Sequence, residues 1–285
     1  MTETIEQIIL RFSGRGMDIL SKYLPRDFCK QAAVALLNCP RGTVYILTGF
    51  YVNGTGETDG PPGSFFLSRA LSRLGFRPII LTDRYCENYF DYNTGVETAY
   101  VPIEIPNASM YFENMMRKNP PVAFVSIERC GRNITNSYSN MHKMDITAHT
   151  APLDELFLMN SSDSLKIAIG DGGNEIGMGL VKEVIDERFS VTPCVVSADH
   201  LIIATVSNWG ALGLMAYLQA HSGVEVLPDG TELKAYFEHI VSCGATDGIR
   251  GAGSISADGF DIQIDLDILK ALQESIAQLS PPRPH

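Results

Sequence analysis

At 285 residues, 45% of them hydrophobic and 19% charged, the chain is long enough for one large α/β domain or two small ones and too apolar for a disordered or fibrous protein. Its 33 acidic residues against 22 basic ones give a formal charge of −11, the wrong sign for a surface that neutralises nucleic-acid phosphates. No apolar run nears the roughly 18 residues of a membrane span, and residues 1–10 carry Glu3 and Glu6 in place of a basic leader. The expectation is a cytoplasmic protein with neither a membrane nor a nucleic-acid partner.

Residues 1–40 read as two or three helical stretches: Ile5, Ile8, Ile9 and Phe12 recur at helical spacing, and Asp27 stands where it can cap a helix over 28–37. They form an expected helical cap on one side of a sheet. From residue 42 onward, apolar runs at 43–48, 78–81, 99–105, 122–127, 165–169 and 200–206 predict strands, with a weaker one near Val195. Helices are predicted between and after them at 64–74, 109–118, 153–159, 176–187, 211–220, 232–241 and 265–279. This alternation implies a mostly parallel sheet with helices on both faces, a three-layer αβα, Rossmann-like architecture. Such sheets bind ligands outside the carboxyl ends of their strands. No repeat and no linker divides the chain, so one α/β domain is expected, with self-association as a symmetric oligomer a further expectation. The irregular stretch 130–149, rich in Asn, Ser and Thr, suits a functional loop or lid, and the tail 280–285 is expected to fray. The six cysteines contain no Cys-x-x-Cys pair and read as reduced, mostly buried thiols, with Cys130 alone held open as a reactive one.

Chemistry-bearing residues gather after the predicted strands. The first is followed by Asn53-Gly54-Thr55-Gly56-Glu57-Thr58-Asp59-Gly60-Pro61-Pro62-Gly63, which either caps a helix or brings Glu57 and Asp59 to a site. The fourth ends in Glu128-Arg129-Cys130-Gly131-Arg132, readable as a structural ion pair or as arginines placed to clamp a carboxylate or phosphate. The densest signal is Gly170-Asp171-Gly172-Gly173-Asn174-Glu175-Ile176-Gly177-Met178-Gly179. It lacks the Lys-Ser/Thr ending of a P-loop and the glycine spacing of a dinucleotide fingerprint, so no nucleotide cofactor is expected. Asp171 and Glu175 would repel a bare pyrophosphate. Together with Asn174 they suit magnesium, manganese or a substrate ammonium; the plainer reading is tight packing with Asp171 as a helix cap. Ser207 and Asn208 cap the next helix and face the strand-end crevice, and Trp209 reads as core. Asp199 and His200 fall at the opposite strand end. The turn around Asp247 and Arg250 reads as a plain loop, and His142 and His149 are acid–base candidates or ordinary surface histidines.

Laid end to end, these segments resemble the D-glutamate cyclase family, in the part equivalent to the C-terminal half of long animal proteins. The resemblance rests on Glu57-Thr58-Asp59-Gly60-Pro61-Pro62-Gly63, Ser126-Ile127-Glu128-Arg129, Asp145-Ile146-Thr147, Pro152-Leu153-Asp154-Glu155-Leu156-Phe157, the glycine-rich decapeptide, Asp199-His200-Leu201-Ile202 and Ser207-Asn208-Trp209-Gly210. The chain departs from the family pattern with Cys130 in place of a proline and with Met141-His142-Lys143 in a segment that is usually richer in glycine. The resemblance implies conversion of D-glutamate, a small acidic metabolite, to 5-oxo-D-proline and water. From charge and position, Asp59, Glu57, Glu128, Asp171 and Glu175 would hold a divalent metal or the ammonium, Glu128, Asp171, Glu175 and Asn174 would carry the chemistry, and Asn208, Gly172 and Gly173 would orient substrate. Arg129 and Arg132 would clamp a carboxylate. A metal-dependent phosphatase and a non-catalytic small-molecule binder are the competing readings of the same acids.

Overall fold

Six extended runs pair side by side, five of them buried along most of their length and therefore suited to parallel strands covered by helices, the sixth an exposed edge strand. In the computed structural model, which describes residues 3–92, 95–159 and 164–279, they form one parallel sheet. Its strands are β1 (Thr43–Thr48), β2 (Arg77–Thr82), β3 (Glu97–Tyr100), β4 (Pro121–Ile127), β5 (Leu165–Gly170) and β6 (His200–Ile203), in the order β3-β2-β1-β4-β5-β6. The tail 280–285, where fraying is expected, lies outside the described residues. The order reverses between β1 and β4, so the loops after these two strands diverge and leave a crevice at their carboxyl ends.

Ten helices surround the sheet among the described residues: α1 (Ile5–Ile9), α2 (Met17–Leu20), α3 (Phe28–Asn38), α4 (Pro61–Arg73), α5 (Ala108–Lys118), α6 (Leu153–Leu158), α7 (Lys182–Arg188), α8 (Ser207–Ser222), α9 (Gly230–Ser242) and α10 (Ile262–Leu279). On one face α3, α4 and α8 lie over the sheet, with α1 and α10 packed behind α8. That placement explains the composition of α8, which is apolar nearly all round and buried from Ser207 through Leu218. Close packing needs its glycine: a Cβ at Gly210 would come within 2.6 Å of Ile169 Cγ2. On the opposite face the Tyr45 and Phe124 rings stack at 5.8 Å, Tyr45 donates to the carbonyl of Met115 in α5, and Phe124 meets Phe157 of α6. Each such buried aromatic contributes on the order of 2 kcal/mol through apolar burial. No described helix is long and apolar enough to cross a membrane.

The structure differs from the sequence expectations in several places. The run predicted as a strand at 99–105 pairs only over Glu97–Tyr100 and stops ahead of Pro102, which has no N–H to give a ladder. No helix spans 176–187. Gly177 and Gly179 both donate backbone N–H groups to Val196, at 2.8 and 3.0 Å, so this segment lies against the stretch around Val195, and α7 begins only at Lys182. The stretch near Val195 is accordingly extended but makes only isolated bridges. The last strand stops at Ile203, because Thr205 turns away to donate to the carbonyl of Ile9 in the N-terminal cap. Asp27 does stand before α3, but its carboxylate accepts from the Gln31 side chain instead of capping the backbone.

Candidate active site

The site begins with two helix starts that cap each other. Val206, before α8, has no side chain able to accept from the helix's free N–H groups. Asp59 reaches across from the β1 loop instead: its carboxylate accepts from the backbone of Ser207 at 2.8 Å, Asn208 at 2.7 Å and Gly60 at 2.9 Å. Asn208 returns the favour, its carbonyl oxygen accepting from Gly60 and Gly63 at the start of α4 while its amide donates to Thr58. The positive ends of α4 and α8 therefore converge on Asp59. Gly60 makes the approach possible: its φ is 95°, and a Cβ there would meet both Glu128 Cβ and Thr48 Oγ1 at 2.8 Å.

Glu128 and Asp171, at the ends of β4 and β5, complete a cluster with Asp59. One oxygen from each carboxylate lies within 4.8 Å of the others, and all three residues are buried. Glu128 holds a left-handed φ of 45°, a conformation that costs a non-glycine residue on the order of 1 kcal/mol or more and recurs at functional sites. Its carboxylate accepts from Ser207 Oγ at 2.6 Å. Asp171 accepts from the Ser207 backbone at 3.2 Å and pairs with Arg15 Nη2 at 2.8 Å. The same Arg15 nitrogen pairs with Asp258 and donates to the Thr205 carbonyl. Three mutually repelling carboxylates with hard oxygen donors could hold a metal ion.

Electrostatics follow from this crowding. Burial, reinforced by Asp258, lifts Asp59 to about 7 even though the hydrogen bonds from Ser207 and Asn208 pull the other way. Glu128 is raised well above the carboxylate range by burial and then by Glu175, Asp59 and Glu57. For Asp171 burial again dominates, opposed by Arg15 and reinforced by Asp258, Glu128 and Asp59. Glu57 is raised by burial and by its acidic neighbours Asp258 and Asp59.

A cavity of about 330 Å³ opens over these groups, bounded below by Glu57, Glu128, Asp171, Asn174 and Glu175 and elsewhere by Phe50, Tyr51, His142, His149, Met141 and Met144. Its volume matches a small metabolite. The loop 130–149 thus forms part of the wall, and both of its histidines reach it. Cys130 is buried, and burial pushes its thiol well above the usual range, which disfavours the reactive thiolate.

The remaining predicted site residues divide into two groups. Glu175 lines the cavity, and its carboxylate is bound by the backbone N–H groups of Gly172 at 2.7 Å and Gly173 at 2.6 Å, which fixes the glycine-rich turn. Those two N–H groups are spent on Glu175, so they hold an acid in place and are not left to cradle a substrate. Asn174 lines the cavity while its amide donates to the Ser139 carbonyl. Arg129, Arg132 and Asn208, by contrast, lie off the cavity wall. Arg129 is buried with its guanidinium on Asp83, Gly49 and Ala151, at 2.7, 2.6 and 2.6 Å, so it ties three loops together instead of clamping a ligand. Arg132 pairs with Asp154 and Glu155. No helix starts at Asp171, which removes its reading as a cap. Asp199 sits at the far end of the sheet, where it accepts from the Lys166 backbone, and Trp209 is buried, donating to Asp265.

Three contributors were not anticipated. Arg15 comes from the N-terminal cap, where its only sequence signal is the flanking glycines of Gly14-Arg15-Gly16. Asp258 belongs to an Asp-Gly turn late in the chain, a signal that ordinarily marks nothing but a turn. The turn read as a plain loop brings Gly248 and Ile249 to the cavity, and Gly248 donates its N–H to Glu57 at 3.2 Å.

Fold and site together define a doubly wound α/β protein with a buried acidic cluster under a metabolite-sized cavity at its topological switch point. The chain belongs to the family described as D-glutamate cyclase-like, C-terminal, whose profile matches residues 5–273. A relative, the D-glutamate cyclase, mitochondrial, of Homo sapiens, is 33% identical over 201 residues, which is 62% of this chain and 32% of that protein. The match therefore spans about a third of the relative's length.

Proposed function

We propose that this chain is a lyase that closes D-glutamate to 5-oxo-D-proline with release of water. The observation that carries the reading is the buried Asp59, Glu128 and Asp171 cluster beneath a metabolite-sized cavity, in a chain of a D-glutamate cyclase-like family. In the reaction the α-amine attacks the γ-carboxyl carbon, a C–N bond forms and a C–O bond breaks. The two protons lost by the α-ammonium nitrogen leave with the departing oxygen as water, so no outside proton is needed.

A carboxylate is a poor electrophile, and the reading assigns its activation to this acid cluster. Asp59, Glu128 and Asp171 are the residues that would hold a divalent ion, magnesium or manganese by their hard oxygen donors, and a bound ion would supply charge neutralisation and polarisation of the γ-carboxyl. Glu57 lines the same cavity with a raised proton affinity, which suits a group that accepts the ammonium proton and returns it to the leaving oxygen. Glu175, fixed by Gly172 and Gly173, attracts the ammonium toward the cavity floor.

The test is direct: incubate metal-stripped protein with D-glutamate, L-glutamate or a generic phosphate ester, with and without magnesium or manganese, and follow products by NMR. Lactam from the D-isomer alone, dependent on added cation, is the expected result. Phosphate release without lactam would replace the reading with a metal-dependent hydrolase using the same acids, and ligand binding without turnover would leave a binding module.

A further inference from the structure

Glutamate brings two carboxylates, and the acidic floor accounts for only the reacting one. The α-carboxylate needs a donor elsewhere in the cavity. Arg15 lines the cavity, but its charge is met by Asp171 and Asp258. His142 lies on an exposed part of the loop. His149 is different: it is half-buried, lines the cavity and is held from two sides. Its ring stacks on Tyr51 with centroids 4.3 Å apart and planes 9° from parallel, and its Nδ1 lies 2.6 Å from the hydroxyl of Tyr85. Tyr85 in turn packs edge-on against Tyr51 at 4.6 Å.

This clamp sets the ring's chemistry. Arg84 donates to the Tyr85 oxygen at 3.1 Å, and the phenol proton remains available to His149 Nδ1, 2.6 Å away. A ring that accepts at Nδ1 carries its proton on Nε2. Nε2 has no partner among the described residues, and it belongs to a rigid ring on the cavity wall. A donor fixed by its neighbours binds a carboxylate with little loss of side-chain freedom.

We propose that His149, positioned by Tyr85 and Tyr51, is the α-carboxylate anchor that makes the site select glutamate over an amino acid of the same chain length that lacks that carboxylate. The inference rests on the glutamate reading and deepens it by naming the residue that recognises the group not involved in ring closure. His149 is a binding residue in this scheme, and Tyr85 is a positioning residue acting through it.

The experiment compares D-glutamate with 4-aminobutyrate, which is glutamate without its α-carboxylate and can still close to a lactam. Binding to the metal-loaded protein is measured by calorimetry, and KM and kcat are measured where turnover occurs, for wild type, His149→Ala, His149→Gln and Tyr85→Phe. In His149→Ala, D-glutamate affinity should fall roughly 10- to 100-fold, the worth of a hydrogen bond to a charged group, while 4-aminobutyrate affinity stays within about twofold. His149→Gln, which keeps an N–H donor, should recover part of the loss, and Tyr85→Phe should show a smaller loss of the same kind. An unchanged preference, or equal losses for both compounds, overturns the anchor while leaving the cyclase reading standing. Wild-type protein that neither binds nor converts D-glutamate would overturn the cyclase reading itself, and the anchor with it.

Discussion

Metal-free protein should lose stability as pH rises from about 4 to about 7, opposite to the usual behaviour of a chain with paired carboxylates. The cause is Asp59, whose proton affinity is lifted from an ordinary 3.8 to about 7 by burial and by Asp258. Between those two values the folded chain binds more protons than the unfolded one, so the stabilisation is complete below the lower value and is lost as pH climbs through the upper. At about 1.4 kcal/mol per pH unit, a shift of about three units corresponds to about 4 kcal/mol across the window. Glu57, Glu128 and Asp171 are raised as well and act with the same sign. Glu3 and Asp145 are lowered, but both are exposed, so their opposing contribution is small. Urea unfolding at fixed pH steps from about 4.5 to about 8, with a chelator throughout, measures the effect. Saturating manganese should stabilise more at about pH 8 than at about pH 5, because the ion competes with protons for the same oxygens. Stability that is flat or rises between about pH 5 and 7 in the chelated protein would refute the buried-cluster electrostatics.

Three substitutions separate chemistry from architecture. Asp171→Asn should lower lactam formation at least about 100-fold with a Tm within a few degrees of wild type, because Arg15 keeps Asp258 as its partner; an active variant would remove Asp171 from the site. Arg129→Met should instead unfold the protein more easily, by about 3–5 kcal/mol and a Tm drop on the order of 10 °C, since it strands buried Asp83 without its ion pair; thermal melts decide this. Gly60→Ala should cost at least about 1–3 kcal/mol from its φ of 95° alone, and calorimetric titration with manganese should show weakened binding, because the added methyl meets Glu128.

Much of the fold was legible because its signals are local. Five of the six strands are apolar runs buried along most of their length, the edge strand β3 being the exposed exception, and the resulting alternation with helices admits few topologies. Asp59, Glu128 and Asp171 were readable for a related reason: in a parallel sheet, acids just past strand ends share one edge, whatever the strand order. What failed depended on contacts distant in sequence. The 176–187 segment has helical composition, yet two backbone bonds to Val196 outweigh it. Arg129 and Arg132 sit beside Glu128 in sequence, but backbone direction sends their side chains away from the cavity toward Asp83 and Asp154. Arg15 and Asp258 were invisible because the N-terminal cap and the late turn meet over the site only in three dimensions.

The cluster's energetics also say why its acids gather at the start of α8, where Ser207 donates to all three. Two unit charges 4.8 Å apart repel by about 3–4 kcal/mol at an effective dielectric constant near 20, so three ionised carboxylates would strain the fold severely. The backbone N–H groups of Gly60, Ser207 and Asn208 offset part of this at Asp59, and Arg15 offsets part at Asp171. The balance still favours protonation, since Asp59 remains lifted to about 7. A site left in that condition gains stability from any positive charge delivered to it, whether a proton, a divalent ion or a substrate ammonium. The same residual repulsion that costs the chain stability at neutral pH would therefore supply affinity for a divalent ion or for the ammonium of the proposed substrate.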